Sequence, residues 1–388
     1  MDKPFDPLDH KATYSQILSR PLVLKKDYFG AAPAPFIGRF GYPHVNVGIL
    51  TPPEIVAGAE HYDAPRQWAK NGLGIPEIVD FRTRLVNSRM RANVRTDSAM
   101  VELAQEVGMA SKPVEVEVRL TSTPFARLTQ DSTMAPHGPS GNMEFAKITS
   151  NPHVSTKVWK VVDDRSLKAV EGISYLYSKG FDENHLSKLL SVGTLGIGSQ
   201  RKMVPTRWSI TATDDMLGKE NLTTIRDFPV GSDYCAYFGS YLGNYYLCLC
   251  YPEPFSYELF ETTSSSFGKK YTTDCETFFG RTAYAEETAG GYYTVRLALT
   301  EKFLSLKRQM KVVVIRVITD EYRTPLGVWV TREAARKSLA GKPISFSDSQ
   351  LMGTYAKHLL LKKFGIDAGL FLSKSVILRQ KGLGEWMG

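Results

Sequence analysis

Three glycines and three cations crowd one stretch of the chain. GTLGIGSQRKMVPTR, residues 193–207, holds Gly193, Gly196 and Gly198, followed by Arg201, Lys202 and Arg207. Glycines let a backbone turn tightly with its N–H groups exposed, and cations beside such a turn suit a phosphate. The Gly-Lys-Ser/Thr ending of a P-loop is missing. Pro205 suits the entry of a helix and Thr206 its start. On that helix Arg207, Thr211 and Asp214 share a face, so Asp214 is the candidate for orienting Arg207 or a cation. The plainer reading is a helix held by internal ion pairs, with Trp208 as a core anchor. Asp163–Asp164, Asp214–Asp215 and Glu286–Glu287 are acidic pairs of the kind that hold a metal for phosphodiester cleavage. Adjacent carboxylates point in different directions, however, and most such pairs are caps or surface charges.

Two further groups of residues suit a polyanion. In FIGRFGYPHVNVG, residues 36–48, glycines at 38 and 41 bring backbone close to whatever Arg39 and His44 address; bracing of a loop is the alternative. Residues 82–95 carry Arg82, Arg84, Arg89, Arg91 and Arg95 and no acid. On a helix, Arg84, Arg91 and Arg95 fall within about 40° of one another, a stripe able to track phosphates or simply a solvated face. Near the end of the chain, Lys357, Lys362, Lys363, Lys374, Arg379 and Lys381 face a single acid, Asp367.

The last nine residues, Gln380–Gly388, match a peptide-docking pattern: Gln380, then Leu383, Trp386 and Met387. In a single 3₁₀ turn residues three apart eclipse one another, so Leu383 and Trp386 project together as an apolar plug beside the Gln380 amide. Sliding clamps such as PCNA receive plugs of this form. Gly382, Gly384 and Gly388 are expected to keep the segment flexible until it is bound. Met387 replaces the second aromatic residue that many such boxes carry, which weakens the plug. The alternative is a Trp386 folded back on the protein's own core.

The elements that must position these residues alternate. Helical spacing predicts helices over 75–95 and 96–109, then a strand in PVEVEVRLTS. An exposed loop is expected over 131–142, a strand in KVWKVVDD, and helices over 165–179 and 183–190. SYLGNYYL reads as a hairpin, YYTVRLAL and KVVVIRVI as strands, and 347–363 as a helix. The expected class is α+β, with mixed sheets in two intimately packed lobes and a flexible tail. The divisions are 1–225, 226–378 and 379–388.

With 43% hydrophobic and 23% charged residues in 388, the chain has material for a large core. No run approaches the roughly 20 apolar residues that cross a bilayer, and MDKPFDPLDH lacks a secretory pattern, so a cytoplasmic protein without a membrane partner is expected. The formal charge of +8 favours DNA without requiring it. Cys235, Cys248, Cys250 and Cys275 lack zinc-ligand spacing and read as packing residues; no metal or cofactor is assigned.

RKMVPTRWSITATDD, LYSKGFDENHLSKLLSVGTLG and FIGRFGYPHVNVG together resemble the archaeal Nre family of DNA-repair proteins, and the similarity extends over most of the chain. It implies repair of DNA damage and clamp interaction, and it carries over no catalytic residue. Many members have an N-terminal cysteine cluster; here no cysteine precedes Cys235, so no zinc site transfers. The readings left open are a clamp-tethered binder of DNA or a phosphate-bearing ligand, a metal-dependent nuclease or other phosphate-processing enzyme, and a pure adaptor.

Overall fold

The computed structural model describes residues 23–124 and 133–379. Within these the chain forms two compact units, one of residues up to 217 with 325–327, the other of 218–324 and 328 onward. Each unit is built on one six-stranded mixed sheet with helices, as the expected α+β class requires.

The N-terminal unit contains β1 (Asp27–Ala32), β2 (Ala34–Ile37), β3 (His44–Thr51), α1 (Pro65–Asn71), α2 (Ile75–Thr83) and β4 (Val86–Asn93). They are followed by α3 (Ala99–Met109), β5 (Val114–Leu120), β6 (Ser140–Ile148), α4 (Thr156–Asp163), α5 (Ala169–Ser178) and α6 (Glu183–Ser191). α7 (Thr206–Ile225) begins in this unit and ends in the next. The sheet order is β1-β5-β6-β4-β3-β2, antiparallel throughout except where β4 runs parallel to β6. β5 shows why: Val114, Val116, Val118 and Leu120 are buried, while Glu115 and Arg119 face out, the period of a half-buried strand. Those side chains join Val45, Val47 and Ile49 of β3 under α3, whose Val101, Ala104 and Val107 close the core. Ser98 caps α3 by accepting from the Val101 N–H at 3.4 Å.

The C-terminal unit contains β7 (Tyr234–Tyr241), β8 (Asn244–Tyr251), β9 (Ser256–Thr263), β10 (Tyr271–Glu276), α8 (Ala289–Leu306) and β11 (Lys311–Ile318). α9 (Trp329–Ala340), β12 (Ile344–Phe346), α10 (Ser349–Phe364), α11 (Gly369–Lys374) and α12 (Val376–Arg379) complete it. Its sheet runs β10-β9-β11-β8-β7-β12, with β11 parallel to β9. The expected hairpin joins β7 to β8 through Leu242 and Gly243, both at positive φ. β9 and β11 are buried along their whole length. Leu247, Leu249, Phe260 and Val313 pack with Met352 and Leu360 of α10 and Phe371 of α11. On β9, Tyr257 meets Tyr292 of α8 at 4.9 Å between ring centroids. The four cysteines are free; Cys235, Cys248 and Cys250 are buried and Cys275 is half-buried.

Four local expectations are corrected. The helix from Ile75 ends at Thr83, and Val86–Asn93 is strand β4, so the arginine stripe of a continuous helix does not exist. KVWKVVDD is largely helix α4, where Ser155 caps the first turn and only Val158 and Val161 are buried. YYTVRLAL lies inside α8, where aromatic and β-branched residues are buried on every side. From Thr133 the supposed exposed loop is largely buried, with His137 only 3% exposed, and Ser140 already begins β6. No described helix is long and apolar enough to cross a membrane.

Candidate phosphate-binding site

The glycine stretch closes α6 and forms one wall of a cleft in the N-terminal unit. Asp182 starts α6 by accepting the His185 N–H at 2.8 Å. The helix ends where Gly193, at φ +76°, turns the chain so that its N–H reaches Leu190 O at 3.2 Å. A Cβ there would stand 2.7 Å from the Lys202 carbonyl carbon, so only glycine lets the two ends of the loop approach. The loop is pinned twice at its far end. Met203 N–H donates to Val94 O at 2.9 Å, and the Ser191 hydroxyl donates to Val204 O at 2.8 Å. Pro205 then precedes α7, which starts at Thr206 as expected, and the Thr206 hydroxyl accepts the Ile37 N–H at 2.9 Å.

The cleft measures about 600 Å³. Its walls come from the turn after β4 (Arg95, Thr96, Asp97), one face of α3, the end of α4 with Asp163 and Arg165, and the loop residues Gly193, Gly198, Ser199, Arg201 and Lys202. Four cations thus face two carboxylates. Arg95, Arg165 and Lys202 are exposed. Arg201 is committed: Nε donates to Gly196 O at 2.7 Å, Nη1 to Val162 O at 2.6 Å and Nη2 to Asp164 O at 2.9 Å. Burial, and after it the charge of Arg165, hold its pKa below the ordinary arginine value, a sign of how close the cations stand.

Of the residues singled out in the sequence, the cleft brings together Arg95, Asp163, Gly193, Gly198, Arg201 and Lys202. Gly196 lends only its carbonyl, to Arg201. Arg207 is half-buried on α7 and Asp214 fully buried, and neither lines the cleft. Trp208, a core anchor on the plainer reading, is 46% exposed. Arg84 forms a bidentate pair with Asp80, both bonds at 3.1 Å, and so braces the end of α2. Arg91 is exposed on β4 and donates to Phe40 O at 3.3 Å. Arg39 lies over the Phe40 ring at 4.8 Å, and His44, the first residue of β3, sits 3.4 Å from the Asn93 amide. Gln380, Leu383, Trp386 and Met387 lie outside the described residues.

The acidic pairs part company. Asp163 faces the cleft, while Asp164 accepts the Ser166 hydroxyl at 2.7 Å and the Ser166 and Leu167 N–H groups, bonds that hold its pKa below the usual carboxylate range. Glu287 accepts the Thr273 N–H. Among the described residues no group of three or more His, Cys, Asp or Glu is placed to hold a metal ion.

Sequence reasoning passed over Arg165 and Asp97, whose roles depend on three segments meeting. It also passed over buried ion pairs in the C-terminal unit. Arg316 donates to Glu261 Oε1 at 2.5 Å and to Asn244 Oδ1, and Arg296 pairs with Glu276 at 3.1 Å. A signal for the first was present: an arginine inside the apolar strand KVVVIRVI must find a partner.

Two family models cover the chain, that described as archaeal Nre, N-terminal, over residues 6–267 and that described as archaeal Nre, C-terminal, over 276–381. DNA repair protein NreB of Archaeoglobus fulgidus is 36% identical over 379 residues, 95% of this chain and 94% of its own. DNA repair protein NreA of Haloferax volcanii is 32% identical over 366 residues, covering 91% and 86% of the two chains. NreA of Archaeoglobus fulgidus is 35% identical over 323 residues, covering 81% and 80%. No solved structure matches. Matched over 6–267 and 276–381 and at this identity over nearly its full length, the chain belongs to the archaeal Nre family.

Proposed function

We propose that this protein is a DNA-damage repair factor that grips DNA phosphates in the cleft of its N-terminal unit and docks on the sliding clamp, PCNA, through Gln380, Leu383, Trp386 and Met387. The role in DNA repair comes with the family. The observation that carries the DNA-binding part is the exposed trio Arg95, Arg165 and Lys202 around a concave site of about 600 Å³. Cations converging on a cleft bind a phosphate backbone by displacing its counterions, so binding weakens steeply with salt. The clamp part rests on the spacing of the terminal box.

The test uses the full chain with labelled branched, single-stranded and duplex DNA, with and without magnesium or manganese, and a calorimetric titration against the cognate clamp. Salt-sensitive binding without cleavage, together with clamp binding that disappears on deletion of 380–388, is the expected result. Metal-dependent cleavage would assign a nuclease instead, and absence of DNA binding with clamp binding intact would leave an adaptor.

A further inference from the structure

We propose that the turn between β2 and β3, together with the first turn of α7, forms a stacking platform for unpaired bases, so that the strand this protein takes is single-stranded DNA. The proposal rests on the phosphate-binding reading above and adds the class of strand. Three aromatic side chains are left uncovered there, where apolar surface is ordinarily buried. Phe40 is 74% exposed, Tyr42 40% and Trp208 46%. They are organised: the Tyr42 and Trp208 ring centroids lie 5.4 Å apart with a 52° tilt, and the Arg91 bond to Phe40 O holds the turn against β4.

Cations are interleaved with the rings. The Arg39 guanidinium lies 4.8 Å from the Phe40 centroid, and Lys202 Nζ lies 5.8 Å from that of Tyr42. The segments that build this surface, 36–48, 82–95 and 198–213, contain no Asp or Glu. Rings with cations and without acids suit a chain that alternates π faces with phosphates. Lys202 belongs both to the cleft wall and to the edge of the platform, so a backbone held in the cleft reaches the rings at that residue. In a duplex the base faces are already stacked on one another; in a single strand they are available to Tyr42, Trp208 and Phe40.

The experiment compares, by fluorescence anisotropy, the affinity of the full chain for a labelled oligothymidylate and for a duplex of equal length. Trp208→Leu and Phe40→Leu each lower single-strand affinity by about tenfold and duplex affinity by less than about twofold, within the range for loss of a base–aromatic stack. Tyr42→Phe, which keeps its ring, binds like the parent. Oligothymidylate quenches the tryptophan emission of the parent, and the quench is lost in Trp208→Phe. Unchanged single-strand affinity in both leucine variants overturns the platform, as it would if the rings seat a protein partner. An Arg165→Ala variant, at a cleft cation outside the platform, separates the two readings. If it weakens binding to both DNAs while the leucine variants do not, the cleft stands and the platform falls; if it changes neither, both fall.

Discussion

Arg201 and Lys202 are adjacent in sequence and opposite in use. The guanidinium of Arg201 places its three nitrogens on the carbonyls of Gly196, Val162 and Asp164 and so ties the glycine loop to α4 and the turn that follows it. Lys202 carries its charge into the cleft. Arg201→Ala is therefore expected to destabilise the fold by about 1–3 kcal/mol, by removing the charged donor that the part-buried Gly196 and Val162 carbonyls share. Lys202→Ala is expected to keep the melting temperature and lose DNA affinity. Paired melting and anisotropy curves check both, and an unchanged melting temperature for Arg201→Ala contradicts the bracing role. At the terminal box, Trp386→Ala is expected to remove at least about 2 kcal/mol of clamp affinity, some thirtyfold, as a buried aromatic anchor in a small interface does. Gln380→Ala costs less, because it exchanges one set of hydrogen bonds for another with water. Calorimetry with a nine-residue peptide measures each.

At the level of elements, the last described turn is anchored just before the proposed clamp box. Glu258 of β9 accepts the Ser375 hydroxyl at 2.5 Å and the Val376 and Ile377 N–H groups at 3.2 and 3.3 Å, while Ile377 is fully buried. The box thus begins immediately after the anchored helix α12. Glu258→Ala is expected to release that helix, seen as faster amide exchange over 375–379, with the clamp affinity of the full chain unchanged. Protection equal to the parent would contradict the anchoring. Much of this layout was legible in the sequence: the alternation of β5, the β7–β8 hairpin, α6, the entry of α7 and the largely apolar β11 all follow from period and turn chemistry. What was not legible depended on tertiary burial. The β-rich YYTVRLAL is helical because α8 is packed on all sides, where burial overrides local preference. Residues 86–93 are a strand because they pair with β3 over eight positions, which takes Arg91 off the helical stripe expected with Arg84 and Arg95. Within the candidate site, the glycines and Lys202 announced themselves by type and spacing. Arg165 and Asp97 could not, since only the fold brings them to the loop.

For the whole molecule, the net charge of +8 matters less than its placement, with acid-free segments gathered on the N-terminal unit. That unit also encloses His137, whose Nδ1 lies 2.9 Å from Gly138 O and whose pKa burial pushes down from 6.5 to about 4. A histidine held neutral in the fold contributes stability that is complete above pH 6.5 and declines as pH falls through 6.5 towards 4. At 1.36 kcal/mol per pKa unit the loss is roughly 3 kcal/mol over that window. Denaturant midpoints are expected to fall between pH 6.5 and 4, and His137→Gln to flatten that fall; an equal slope in the variant contradicts the assignment. The central claim, that the cleft of this unit grips DNA phosphates, is tested most directly by the salt dependence of binding. The dissociation constant of the full chain for single-stranded DNA is measured between about 50 and 200 mM salt, a range in which phosphate contacts dominate the change, and compared with that of the Arg95→Ala/Arg165→Ala/Lys202→Ala variant. Loss of three phosphate contacts reduces the slope of log K against log salt by about 2, at roughly 0.7 per contact on a single strand; two parallel lines would contradict the account.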